Sequence, residues 1–237
     1  MSTYLELCQK LRSQCINGYA SAPTTVSGQT GILERVVTWV ADSWRTIQLR
    51  HDWTWARKPF KFNTVASTAA YADSDVTDVE ADAVITRLKH WWVNDRVNPP
   101  YCYLTSGGVA VQRILVFLPY EVFHRRYKFG VQQSMTGAPI HITVNDNNEI
   151  ELGPTPDAVY TVTGHFQRSP QILALDDDEP EIPEEYHDLI VCRAVERYAT
   201  RAVAPEVLAD ARLEGGRLMR ALERQYLPRV RLGAPLR

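Results

Sequence analysis

Between Ile32 and Trp55 the chain reads ILERVVTWVADSWRTIQLRHDWTW, and this stretch restricts the fold more than any other. Leu33, Val36, Val37, Val40, Trp44 and Ile47 recur at the three- and four-residue spacings that put side chains on one face of a helix. The spacing predicts an amphipathic helix of about five turns, which must bury that face along its length. Thr30 and Gly31 stand where an N-cap belongs, and Glu34 falls in the first turn, where a carboxylate suits the helix dipole. Trp39, Trp44, Trp53 and Trp55 all lie here, so the helix is expected to run through a core. The pair Trp53 and Trp55, one residue apart, predicts an extended exit with one ring on each face.

On either side the texture is legible. Thr3 with Glu6 forms the pattern of a capping box. It opens a first helix over 3–15 with Tyr4, Leu7, Cys8, Leu11 and Cys15 as its apolar face. Residues 16–30 read as a loop. From Lys58 the period shortens to two, with Phe60 and Phe62 alternating with Lys61 and Asn63 as in a half-buried strand. Residues 66–83 read as a solvated, turn-laden excursion. Val84–Val93 is expected as a strand with Trp91 and Trp92 on opposite faces, and Val109–Phe117 as another. A short helix over 120–128 would contact the core through Val122, Phe123 and Tyr127. Ile140–Val144, a turn of Asn145 to Asn148, and Glu149–Leu152 make a hairpin whose turn residues tolerate positive φ. Val159–Gln167 is a strand with Tyr160, Val162 and Phe166 on one face.

Towards the end, residues 176–188 are acidic; Asp176 to Glu179 reads as a solvated linker rather than a Ca²⁺ loop, and the later acids favour the start of a helix from Pro183 to about Ala202. A last helix runs from Ala204 to about Tyr226, lined by Leu208, Ala211, Gly215, Leu218, Leu222 and Tyr226. Gly215 and Gly216 within it cost helix stability, about 1 kcal/mol each relative to alanine. They mark either a kink or a close approach of another helix, in the same subunit or a neighbour. The fold class expected is α+β. A helical bundle would be built from residues 1–57 and 171–237, with an inserted, projecting β-rich domain over 58–170 and a C-terminal arm over 227–237.

A chain of 237 residues suffices for one large domain or two small ones. No apolar run reaches the roughly 18 residues of a membrane span, and the N-terminus lacks the apolar segment of a signal peptide. The four cysteines, Cys8, Cys15, Cys102 and Cys192, form no C-x-x-C pair, and Cys8 reads as a buried reduced thiol. Two Glu-x-x-His pairs, Glu121 with His124 and Glu184 with His187, could with Glu6 and Glu34 form a di-metal carboxylate site of the bundle type. The plainer reading is helix-start acids and surface histidines. Neither a phosphate-binding glycine loop nor a nucleophile with its base is present, so no catalytic, cofactor or metal residue is assigned.

Residues 211–237 carry Arg212, Arg217, Arg220, Arg224, Arg229, Arg231 and Arg237 against Glu214 and Glu223, a local charge of +5. Past Tyr226 the sequence LPRVRLGAPLR cannot continue the helix. It is either a disordered tail or an arm that orders on a partner, and the arginines would also serve a DNA-binding module.

The segments STYLELCQKLR, TGILERVVTWVADSWRTIQ, HDWTWARKPFKF, LPYEVFHRRYKFG, LGPTPDAVYTVTGHFQRSPQIL and IPEEYHDLIVCRAVERYA, taken in order, resemble the head-to-tail adaptor (connector) proteins of tailed bacteriophages. That resemblance covers nearly the whole chain and is thinnest over 66–110 and the last 25 or so residues. It implies a structural virion protein without catalysis or cofactor, made in the host bacterial cytoplasm and resident in the neck between capsid and tail. Such adaptors form a homo-oligomeric ring, usually twelve-fold, under the portal protein. The ring extends the channel through which genomic DNA passes without specific binding, and it offers a platform to the tail or to a head-closure or nozzle protein. No membrane is involved. On this expectation the portal-binding residues are Arg224, Tyr226, Leu227, Arg229, Val230, Arg231, Leu232, Leu236 and Arg237. Gly215 and Gly216 would serve subunit packing.

Overall fold

A computed structural model of the chain describes residues 2–15 and 22–227. Arg229, Val230, Arg231, Leu232, Leu236 and Arg237 of the expected arm, and residues 16–21 of the expected loop, lie outside the described residues. The fold is α+β. Its helices are α1 (Tyr4–Cys15), α2 (Gly31–Arg50), α3 (Tyr120–Tyr127), α4 (His187–Ala202) and α5 (Pro205–Tyr226). The chain divides into two compact units: Met1–Ala56 with Pro170–Arg237, which holds α1, α2, α4 and α5, and Arg57–Ser169, which holds α3 and the strands.

In the helical unit α4 packs against α1, α2 and α5. Its heptad-like apolar face, Leu189, Ile190, Val191, Ala194 and Val195, is buried, and so are Leu7, Cys8 and Leu11 of α1 and Val36, Val40, Trp44 and Ile47 of α2. Thr30 takes the extended N-cap conformation but its side chain makes no cap hydrogen bond. The C-terminus of α4 turns on Val203 at φ 54°, a left-handed position that suits glycine and strains a β-branched residue. Val203 is 84% exposed, so no packing is lost on its removal. Val203→Gly should raise stability by about 1 kcal/mol in a denaturant titration.

The start of α1 shows what the acidic run does. The Thr3 and Glu6 capping box forms, with Thr3 N–H donating to Glu6 Oε2 at 3.0 Å and Glu6 N–H to Thr3 Oγ1 at 3.3 Å. The next two N–H groups are satisfied from elsewhere: Tyr4 donates to the Asp178 carbonyl at 2.7 Å and Leu5 to that of Asp176 at 3.2 Å. The Asp178 carboxylate accepts the N–H groups of Ala174 and Leu175, and that of Asp176 accepts from Val26 N–H and Thr25 Oγ1. The solvated linker expected at 176–179 is therefore a structured strap. Its carboxylates fold the turn, and its backbone carbonyls finish α1.

The extended exit expected at Trp53 and Trp55 does not form either. Thr54–Ala56 is a 3-10 turn. It brings both rings to one side: Trp55 stacks on Trp44 at 5.6 Å and on Trp53 at 6.3 Å. Trp53 Nε1 donates to the Ile47 carbonyl at 2.8 Å, one of those left unpaired at the end of α2.

The second unit contains two sheets. The strands are β1 (Arg57–Asn63), β2 (Ala70–Tyr71), β3 (Thr77–Asp78), β4 (Ala83–Val84), β5 (Leu88–Trp91), β6 (Tyr101–Leu104), β7 (Arg113–Ile114), β8 (Val116–Phe117), β9 (His141–Val144), β10 (Ile150–Gly153) and β11 (Tyr160–Arg168). One sheet runs β4-β3-β1-β11-β6-β7, with β5 pairing the far end of β11; the other runs β2-β10-β9-β8. Phe60, Phe62, Trp91, Val162 and Phe166 from the first and Ile142, Ile150 and Leu152 from the second share one core. The β9–β10 hairpin is as expected, with Asn148 at φ 61° and Asn145 Oδ1 accepting from Asn147 N–H and Glu149 N–H.

Four expectations over this unit are corrected. Residues 66–83 are not merely a solvated excursion, because they supply β2 and β3 and bury Tyr71, Val76 and Asp78. Val84–Val93 breaks into β4 and β5, and Val109–Phe117 into a 3-10 turn, β7 and β8. In the latter stretch Leu115 is buried, while Ile114 and Val116 on either side are half exposed. On α3, Val122 faces out at 41% exposure, and Phe123 alone is fully buried.

Candidate functional site

The sequence points to the C-terminal end of α5, and the structure describes it as far as Leu227. Glu223 Oε1 receives Arg50 Nε at 3.1 Å and His51 Nε2 at 3.2 Å. Thr54 Oγ1 donates to the Tyr226 carbonyl at 3.1 Å, and Tyr186 O–H donates to Gln225 Oε1 at 2.8 Å. The Tyr186 and Tyr226 rings meet edge to face at 6.1 Å. Tyr226 and Leu227 pack on the core of their own unit, whereas Arg224 is exposed. The end of the helix is thus clamped before residue 228, where the remaining expected arm residues begin.

Gly215 and Gly216 do different things. α5 continues through both without a break. A Cβ at Gly215 would stand 3.2 Å from Cys192 Cβ, so the close approach at this glycine is made by α4 of the same chain. A Cβ at Gly216 would meet nothing nearer than Arg220 Nη1 at 3.8 Å. Gly216→Ala should therefore stabilise the chain by up to about 1 kcal/mol through helix propensity. Gly215→Leu should cost about 1–3 kcal/mol by overpacking α4. Paired urea titrations would separate the two.

Beside α5, a groove of about 780 Å³ opens between α2, α4 and α5, lined by Ile47, Leu49 and Met219 and by Arg50, Arg193 and Arg197. Each of those arginines meets an acid of its own unit: Arg50 with Glu223, Arg193 with Glu196 at 2.8 Å, and Arg197 with Asp42 at 3.5 Å. The groove is apolar with balanced charge. It fits a packing role better than proton transfer.

The Glu-x-x-His pairs separate. Glu121 and His124 are exposed on α3 in the β-rich unit, and Glu6 belongs to the capping box of α1. His187 is not a surface histidine. It is 2% exposed, with Nδ1 accepting from Ser2 N–H at 3.2 Å and Nε2 facing the Ile182 carbonyl at 3.1 Å. Among the described residues no three His, Cys, Asp or Glu side chains gather where they could hold a metal ion. Burial pushes the thiol of Cys8 up to about 12 and those of Cys15 and Cys102 to about 11, far from nucleophilic values. Among the described residues no helix is long and apolar enough to cross a membrane.

What the described residues offer is packing, strapping and surface. A family model of the SU10 adaptor protein matches residues 2–236. The chain belongs to the SU10 adaptor family. It is a bacteriophage structural protein of the virion, a head-to-tail adaptor acting in virus assembly. No curated protein matches it. For such an adaptor, the functional features are surfaces on which other subunits assemble. The sequence missed the α2–α4–α5 groove, because it is made by three helices distant in sequence. It also missed the strap, because carboxylates bonded to backbone look the same in a sequence as carboxylates in water.

Proposed function

We propose that this adaptor assembles as a ring of twelve subunits that docks on the portal, extends the DNA channel and carries the tail or a head-closure component. The observation behind the reading is the family match, which runs over nearly the whole chain rather than one motif. A closed ring needs a heterologous interface, with one face of the subunit complementary to another. Single interfaces of this kind are often weak, so a portal template would favour closure. The net charge of −2 suits a channel that lets DNA slide, since a strong positive field would retain it.

The docking element in this reading is the C-terminal arm. It leaves a helix end that is held by Glu223, Gln225 and Tyr226, so its arginines and leucines start from a fixed point. Because Leu227 packs on the helical unit, the informative truncation removes residues 228–237 and keeps 227. The shortened protein should lose portal binding in co-sedimentation while keeping its helical circular dichroism and unfolding midpoint. Undiminished portal binding by the truncated chain would place the docking surface elsewhere. Binding of duplex DNA that collapses with rising salt would favour a DNA-binding arm instead.

A further inference from the structure

The two ends of the larger sheet are unlike each other in charge and alike in exposed apolar surface. At one end stands β4, Ala83–Val84, and at the other β7, Arg113–Ile114; among the described residues neither pairs a strand on its outer side. Ile85 N–H donates inward to the Val76 carbonyl, and Leu115 N–H inward to that of Pro100. By the alternation of an extended chain, Val84 and Ile114 therefore turn their own N–H and C=O outward. Their side chains are 52% and 55% exposed.

Charge divides the same way. Residues 66–84, which carry the β4 edge, contain Asp73, Asp75, Asp78, Glu80 and Asp82 and no lysine or arginine, with Asp78 and Glu80 matched by Arg168 and Lys58. Asp73, Asp75 and Asp82 are exposed. The segment that carries the β7 edge, residues 109–117, contains the exposed Arg113 and no acid. Val109, Val111 and Val116 add exposed apolar surface there, and Val79 adds it at the acidic end. Exposed aliphatic clusters of this kind mark interaction surfaces.

We propose that the β4 edge of one copy pairs with the β7 edge of the next, a head-to-tail clasp in which Val84 and Ile114 exchange backbone hydrogen bonds. The occupant of each edge is a second copy of this chain, because the chain itself supplies both halves of the charge and apolar match. Each edge strand is only two residues long, so the clasp contributes two backbone hydrogen bonds and relies on its flanks. That shortness also protects the free subunit from indiscriminate strand addition. The clasp is heterologous and so propagates in one direction. It rests on the ring reading above for closure and names the surfaces that would build the ring.

Cysteine trapping tests it. Opposed residues of a hydrogen-bonded antiparallel pair have Cα atoms about 5.5 Å apart, within disulfide reach. Under mild oxidation of assembled protein, V84C and I114C separately should stay monomeric on a non-reducing gel. Their mixture should give dimers, and the V84C/I114C double variant a ladder of linked subunits. Ile114→Asp, at an exposed position, should leave the unfolding midpoint in place and weaken self-association at least tenfold by light scattering. Rings that assemble, alone or on portal, without this disulfide would overturn the clasp and leave the adaptor reading standing. Protein that neither self-associates nor joins portal rings would overturn both.

Discussion

Replacing Trp44 by alanine should remove about 4 kcal/mol of stability, within the range found for truncating a fully buried aromatic. The ring is 0% exposed and stacks on Trp55 at 5.6 Å, so the loss combines transfer of a large apolar surface with a cavity that α2 and α4 close only in part. A polar consequence is added. Trp44 Nε1 donates to Gln171 Oε1 at 3.2 Å, and Gln171 is the node that fastens the strap to α2. Its backbone N–H donates to Gln48 Oε1 at 2.6 Å, and its carbonyl accepts from Gln48 Nε2 at 3.0 Å. Its side chain also accepts from Glu181 N–H and donates to the Glu179 carbonyl. Since whole domains are stable by only about 5–15 kcal/mol, Trp44→Ala should shift the urea midpoint of the helical signal strongly. Trp44→Phe keeps most of the packing and loses the hydrogen bond, and should cost about 1–2 kcal/mol. Leu49→Ala on the same helix, at a side chain 52% exposed, should stay within about 0.5 kcal/mol. An alanine variant at Trp44 no weaker than the one at Leu49 would deny the ring its central role.

The sequence made Trp44 legible because a helix has a fixed period and a one-sided burial pattern. The same reason recovered Leu7, Cys8 and Leu11 on α1 and Val36, Val40 and Ile47 on α2. The β9–β10 hairpin was legible through its asparagines, which accept a left-handed backbone that other residues resist. Failures came where local pattern and tertiary bonding diverge. Trp53 and Trp55 read as an extended pair, yet the 3-10 turn stacks them, since stacking Trp53 on Trp55 and Trp55 on Trp44 outweighs the two-residue alternation. Residues 66–83 looked solvated because Ala, Ser, Thr and Asp dominate, and nothing local revealed that Tyr71, Val76 and Asp78 would be covered.

The candidate site divides along the same line. Glycine spacing showed that something must come close to Gly215, but not that it would be Cys192 of the same chain. Arginine composition marked the C-terminus, yet Tyr226 and Leu227 turn out to belong to the helical core. The edge pair Val84 and Ile114 carries no sequence signal at all, because an edge is a property of strand order.

Asp78 shows the opposite case, a short polar residue in a two-residue strand on which the β-rich unit depends. Its side chain is 5% exposed and meets Arg168 Nη2 at 2.6 Å, while its Oδ1 accepts the N–H groups of Glu80 and Ala81. Burial works against the charged carboxylate, but the bond from Arg168 and the two N–H groups outweigh it and hold the carboxyl below its ordinary value. Asp78→Ala should cost about 3–5 kcal/mol, because it takes a buried carboxylate away from a largely covered Arg168 and frees two amides at the β3–β4 turn. A folded-state value below the unfolded one means that the contribution is complete above the unfolded carboxylate's pKa of about 3.9 and is lost as the pH falls through the lower folded value. Asp95, held down in the same direction against its burial by the N–H groups of Val97 and Asn98 and by Arg57 at 2.9 Å, acts over the same window. The stability gap between the native chain and Asp78→Asn should therefore be wide at pH 7 and close on acidification towards pH 2. Hydrogen exchange at the amides of β1 and β3 would report it locally. A gap that stays constant across that range would mean that the ion pair's charge contributes nothing and that shape alone fixes this edge of the sheet.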